Sequence, residues 1–110
     1  MYATVRRYEG IDKVRSEEIT RKVNDSLVPS LRALPGFAGY FLIDAGAGVL
    51  ASVSIFETSN QAHESTRVAA TWILEHDLSA ALPNTPIVTA GPLIAEAKPA
   101  VATNGVPAIA

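Results

Sequence analysis

Cysteine is absent from the chain, which excludes disulfides, thiolate metal sites and cysteine nucleophiles. A large excess of charge of either sign is missing as well. Nine Lys and Arg stand against eleven Asp and Glu, leaving a formal charge of −2 and none of the basic stripe of a nucleic-acid binder. Arg6-Arg7 and Arg21-Lys22 are isolated pairs that read as ordinary surface or interface charge. No apolar run approaches the roughly 20 residues of a membrane span. The amino terminus carries Arg6, Arg7 and Glu9 where a secretion signal has its apolar stretch, so a cytoplasmic location is expected. Neither nucleic acid nor membrane is expected as a partner. What remains is a chain of 110 residues, enough for one domain with a single hydrophobic core and no covalent staples.

The stretch 34–58, LPGFAGYFLIDAGAGVLASVSIFET, organises the rest. Pro35-Gly36 predicts a turn, because proline presets φ and glycine accepts the positive φ that follows. Residues 38–44 are rich in aromatic and branched side chains and predict a strand. Gly46 and Gly48 supply the left-handed conformations of a hairpin turn. Residues 49–57 alternate: Val49, Ala51, Val53 and Ile55 form one face, Leu50, Ser52, Ser54 and Phe56 the other.

Before the hairpin, residues 2–8 alternate as a strand, with Ala3 and Val5 opposite Tyr2, Thr4, Arg6 and Tyr8. Ile11, Arg15, Ile19, Val23, Leu27, Leu31 and Leu34 then recur at helical spacing, with Asp12 as cap. Pro29 falls inside this pattern, where it removes a backbone bond, and predicts a kink over 25–28 with the last turn restarting at the proline. After the hairpin, Thr58 or Ser59 caps a second helix over 60–76, and Leu78, Leu82 and Pro83 make a short terminal turn. Residues 87–96 form a last extended segment in which Gly91-Pro92 suits an edge strand with a bulge. From residue 97 the composition shifts to Ala, Pro and Gly, so 1–96 is read as the domain and 97–110 as a disordered tail or partner-embracing arm.

The order strand, helix, strand, strand, helix, strand predicts an α+β, ferredoxin-like βαββαβ fold with both helices on one face of a four-stranded sheet. The first and third strands are then central. The open sheet face carries Tyr2, Tyr8, Leu50 and Phe56, or the opposite set if the sides are reversed. Either set makes an apolar patch that a second copy would cover, so a homodimer is expected. In the first assignment, Leu50→Asp or Phe56→Asp would break the dimer.

The strand ATVRRYEG, the turn LPGFAGYFLID, the strand VLASVSIFET and the helix carrying Trp72 resemble the antibiotic-biosynthesis-monooxygenase-like (ABM) family. The resemblance covers residues 2–96 and implies a dimeric α+β barrel with a ligand pocket between sheet and helices in each subunit. Some members of that family oxidise polycyclic aromatics or quinols with oxygen and without metal or flavin; others degrade haem. The haem-degrading members use an Asn on the first strand, and a Trp followed about ten residues later by a His. Here Thr4 and Arg6 occupy the strand and Leu82 the later position, which argues against haem. Oxygenating members place an Asn and a Trp one helical turn apart, but Glu64 follows Asn60 at that spacing, so no catalytic residue carries over.

The expected activity is therefore a cofactor-independent monooxygenase, or a related enzyme, acting on a small aromatic or quinone-like ligand. The alternative is a non-catalytic dimeric small-ligand-binding or structural protein of the same fold. No cofactor and no metal are expected: His63 and His76 are thirteen residues apart on different helix faces. Trp72 and His76 share a face at i,i+4, and His76 is the candidate base. Against that stands the plainer role of Trp72 in the core and His76 at the helix's negative end. Tyr40, Phe41 and Trp72 would wall the ligand site, with Arg7 or His76 as the polar contact. Arg6, Ser52 and Ser54 offer an anion or carbonyl site, against the plainer reading of interface contacts. Gly46-Ala47-Gly48 precedes a strand and is no phosphate loop; the serines lack a nucleophile-elbow context.

Overall fold

The computed structural model describes residues 1–99, so all but the start of the expected tail lies outside the described residues. In chain order the elements are β1 (Tyr2–Tyr8), α1 (Lys13–Lys22), a π-helical turn (Val23–Leu27), α2 (Val28–Arg32), β2 (Phe37–Gly46), β3 (Val49–Phe56), α3 (Ser59–Glu75) and β4 (Ile87–Pro92). The strands form one antiparallel sheet in the order β2-β3-β1-β4, the ferredoxin-like α+β arrangement with β1 and β3 central.

Each boundary has a local cause. Asp12 caps α1, its carboxylate accepting from the Arg15 N–H at 2.9 Å. The helical ladder then widens where Pro29 has no N–H to give: the Val28 N–H reaches back five residues to the Val23 carbonyl. One extra residue in that turn carries the chain past the proline, which then sits at the start of α2. The apolar stripe survives the change of pitch, and Ile19, Val23, Leu27 and Leu31 are all buried. Val14, beside the stripe, is 75 % exposed.

Gly36 has φ +77 and its carbonyl accepts from the Glu57 N–H at 2.9 Å, fastening the start of β2 to the end of β3. Gly48 has φ +76, and a Cβ there would lie 2.7 Å from the Ile11 carbonyl oxygen, so the hairpin turn nests against the start of α1 as only glycine allows. Thr58 and Gln61 close a capping box on α3. At the other end Asp77 takes φ 54, the Leu78 N–H bonds the Ile73 carbonyl, and Leu78 is fully buried, a Schellman ending.

Two expectations need correcting. β4 ends at Pro92 and pairs with β1 in unbroken register; the irregularities fall on β2, between Phe37 and Gly39 and between Asp44 and Gly46. The sheet faces are the reverse of the first assignment. Leu50, Ser52, Ser54 and Phe56 are buried beneath the helices, together with Thr4. The all-apolar face of β3 is the open one. It continues onto Phe41 and Ile43 of β2, which the register sets beside Val53 and Ala51. On the far side it reaches Ile87, opposite Arg7. The reason is size: Leu50 and Phe56 fill the helix-sheet gap, whereas a row of Val, Ala, Val and Ile makes a flat surface for another sheet.

Candidate functional site

The covered sheet face is not solidly packed. Between it and the helices lies a cavity of about 60 Å³. Its walls are Tyr8 from β1, Tyr40 and Leu42 from β2, the apolar stripe of the first helix, and Trp72 and Ile73 from α3. Polar groups converge on it as well: Arg6, Ser52, Ser54 and Ser65. A wider groove of about 470 Å³ adjoins it, bordered by Thr66, Ala70 and the 79–86 segment. Arg6, Tyr8, Ala69, Ile73 and Leu82 border both, so they stand between the chamber and the groove.

The polar groups differ in how they are satisfied. Arg6 donates to the Thr66 hydroxyl, and Ser65 donates to the Ala62 carbonyl at 2.7 Å. Ser54 is 4 % exposed and its hydroxyl finds no partner among the described residues. The Tyr40 phenol is pushed up to about 12: burial acts most, Tyr8 adds to it, and Arg6 and a hydrogen bond with Ser52 partly oppose it. Burial also raises the Tyr8 phenol, against the Arg6 guanidinium. Both phenols therefore stay protonated at neutral pH and offer O–H donors to a ligand.

Trp72 is 6 % exposed, packed in the core and forming one cavity wall. Its indole N–H donates to the Ser26 hydroxyl at 2.9 Å, across to the π-helical turn. His76 ends α3 and packs on the indole with ring centroids 4.8 Å apart. Its Nδ1 lies 3.0 Å from the Trp72 carbonyl, which can only accept, so Nδ1 carries the proton and Nε2 faces the Ser26 hydroxyl at 3.4 Å. The π-turn that Pro29 imposes thus holds the tryptophan in place. Ser26→Ala is expected to strand the indole N–H and lower the unfolding free energy by about 1–3 kcal/mol. An unchanged urea midpoint would show that the bond carries no such role.

Of the residues singled out above, Tyr40 and Trp72 meet at the cavity. His76 is not part of its lining and stands beside the indole. Arg7 and Phe41 are corrected in placement, because strand alternation turns them to the open face. Arg7 pairs there with Glu9 at 3.0 Å, and Phe41 is 58 % exposed. Tyr8 and Arg6 line the cavity in their stead. The signal for Arg6 was available in the alternation of β1, which puts it on the face of Thr4 and Tyr8.

The fold is that of the ABM-like α+β proteins. It is similar to NE2512 of Nitrosomonas europaea, a protein of unknown function (TM-score 0.71, 19 % identity, covering 90 % of this chain and 94 % of that one). It is equally similar to a monooxygenase from the gene ActVA-Orf6 of Streptomyces coelicolor, solved in complex with nanaomycin D (TM-score 0.71, 13 % identity, 90 % and 92 % covered). SnoaB, a cofactor-independent oxygenase from Streptomyces nogalater, matches with a TM-score of 0.53 and 13 % identity over 88 % of this chain and 93 % of that one. At these identities the likeness is one of fold. No family model and no curated protein sequence matches the chain.

Proposed function

We propose that this chain is a homodimeric, cofactor-independent monooxygenase of a small aromatic or quinone-like molecule bound between the sheet and helices α1 and α3. The observation that carries the reading is the chamber itself, ringed by Tyr8, Tyr40 and Trp72 and sharing its Arg6 side with the groove. Oxygenation without metal or flavin draws all four electrons from the substrate. A ring methylene beside a phenol or carbonyl loses both hydrogens, one oxygen atom becomes the new carbonyl and the other leaves as water. The protein's share is to bind the ring, exclude bulk water and favour the electron-rich deprotonated substrate. Tyr8 and Tyr40, held neutral, orient the substrate oxygen; His76 enters only by bracing Trp72.

A second copy is expected to cover the open face. Phe41, Ile43 and Ile87 are 58 %, 48 % and 59 % exposed there, flanking Val5, Ala51, Val53 and Ile55. A sheet-on-sheet contact of standard size buries about 1,600 Å² in total.

The test is a titration of Trp72 fluorescence with naphthols, naphthoquinols and anthrone-type phenols, run beside oxygen uptake on the same panel. Saturable quenching with oxygen consumed mole for mole with product supports the reading. The absence of any saturable quencher overturns it. The alternative, a non-catalytic dimer of this fold, rests on the enclosed volume of about 60 Å³. That is under half of the roughly 150 Å³ that admits benzene to an apolar cavity, so a bound ring has to take up the groove as well, or the side chains between the two have to move.

A further inference from the structure

Arg6 is a half-buried cation on the covered sheet face, with no carboxylate paired to it among the described residues. The ion pairs among the described residues are Arg7 with Glu9, Arg15 and Lys22 with Glu18, and Arg67 with Glu64; none includes Arg6. Residues 100–110 contain no Asp or Glu. Its one side-chain hydrogen bond goes to the neutral Thr66 hydroxyl, which leaves most of the guanidinium fork without an acceptor among the described residues. A charge in an apolar surrounding is costly unless something pairs with it. Arg6 is also placed to be paired: it borders both the inner chamber and the groove through which a ligand would arrive. On the same face Ser54, two residues along β3 from Ser52, has a buried hydroxyl with no partner among the described residues.

We propose that the molecule this site takes is an aromatic oxyanion, an aryl carboxylate or an ionised phenol, whose charged oxygen sits on the Arg6 guanidinium while its ring rests against Tyr8 and Trp72. The guanidinium presents paired N–H donors that match a carboxylate or an enolised hydroxy-ketone edge, and Ser54 is free to serve a second polar substituent. Arg6 already opposes the upward shift of both neighbouring phenols. The same field favours the anionic form of a bound phenol. This assignment of ligand class rests on the proposed function for the location of the site but not for its chemistry.

The experiment compares 2-naphthoate with 2-naphthamide, alike in shape but the one anionic and the other neutral, by calorimetry on the intact chain at neutral pH. 2-Naphthoate is expected to bind at least tenfold more tightly. Arg6→Gln is expected to abolish that preference while keeping 2-naphthamide affinity and without lowering the melting temperature; Arg6→Lys is expected to keep part of it. Equal affinity of the two compounds for the unaltered protein overturns the proposal, as does binding of neither, or an Arg6→Gln variant that loses both equally. Preferential binding of 2-naphthoate through Arg6, with no oxygen uptake on the phenol panel, supports the oxyanion site and removes only the oxygenase reading. Oxygen uptake without any preference for the anion does the reverse.

Discussion

Val53→Asp is expected to turn a homodimer into a monomer at tens of micromolar, with the fold of each subunit intact. Val53 stands on central strand β3, opposite Val5 of β1 on one side and Phe41 of β2 on the other. In the isolated subunit its face is open, so an aspartate there meets water and costs little. In a sheet-on-sheet dimer it enters the middle of the apolar contact, and the symmetry brings in two such carboxylates. Each loses much of its hydration on entering that contact, at several kcal/mol apiece. A total of about 4 kcal/mol would weaken association roughly a thousandfold. Sedimentation velocity on the unaltered and substituted chains reads this directly, with circular dichroism to check the fold. A Val53→Asp chain that sediments as a dimer would place the interface elsewhere.

Phe56→Asp, three residues along the same strand, is expected to abolish folding. The odd offset turns Phe56 to the helix side, where it is 0 % exposed and meets Phe37 edge to face at a centroid distance of 5.8 Å. A carboxylate there has no cation to pair with and leaves a void the size of a phenyl ring. The expected loss exceeds 4–5 kcal/mol, much of the stability of a domain this size. Leu50→Asp, at a side chain 2 % exposed, is expected to behave alike. The graded variant Phe56→Ala should fold with a loss of about 3–5 kcal/mol, read from denaturant unfolding. If Phe56→Asp instead yielded a folded monomer, the sheet would be facing the other way. Leu50 and Phe56 were the expected dimer-breakers in one of the two assignments open from the sequence, so the pair of variants separates interface from core on one strand.

The structure resolves this choice of faces by a comparison the alternation could not make. Both faces of β3 have apolar members, and one of them also carries two serines. Inside the fold those serines are tolerable because they border a cavity and a hydrogen-bonding Tyr40, while the bulk of Leu50 and Phe56 is needed against the helices. The same uncertainty governed the site. Tyr40 and Trp72 are at the cavity and Arg7 is not, because a one-residue step along a strand exchanges pocket for open face.

Local chemistry determined a great deal without tertiary help. Asp12 and Thr58 as caps, the positive φ at Gly36, and the break forced by Pro29 are consequences of backbone geometry within a few residues. The order of elements followed from periodicity, and the α+β topology from the order. Only the assembled fold decided which strand face lies inward, that a π-turn would set Ser26 under Trp72, and that Arg6 would reach Thr66 beside the cavity. Those are relations between residues 46 to 60 positions apart, set by how side-chain volumes fill the space between sheet and helices. Periodicity sorts residues onto faces; it takes the packing of one face against another to say which is the inside.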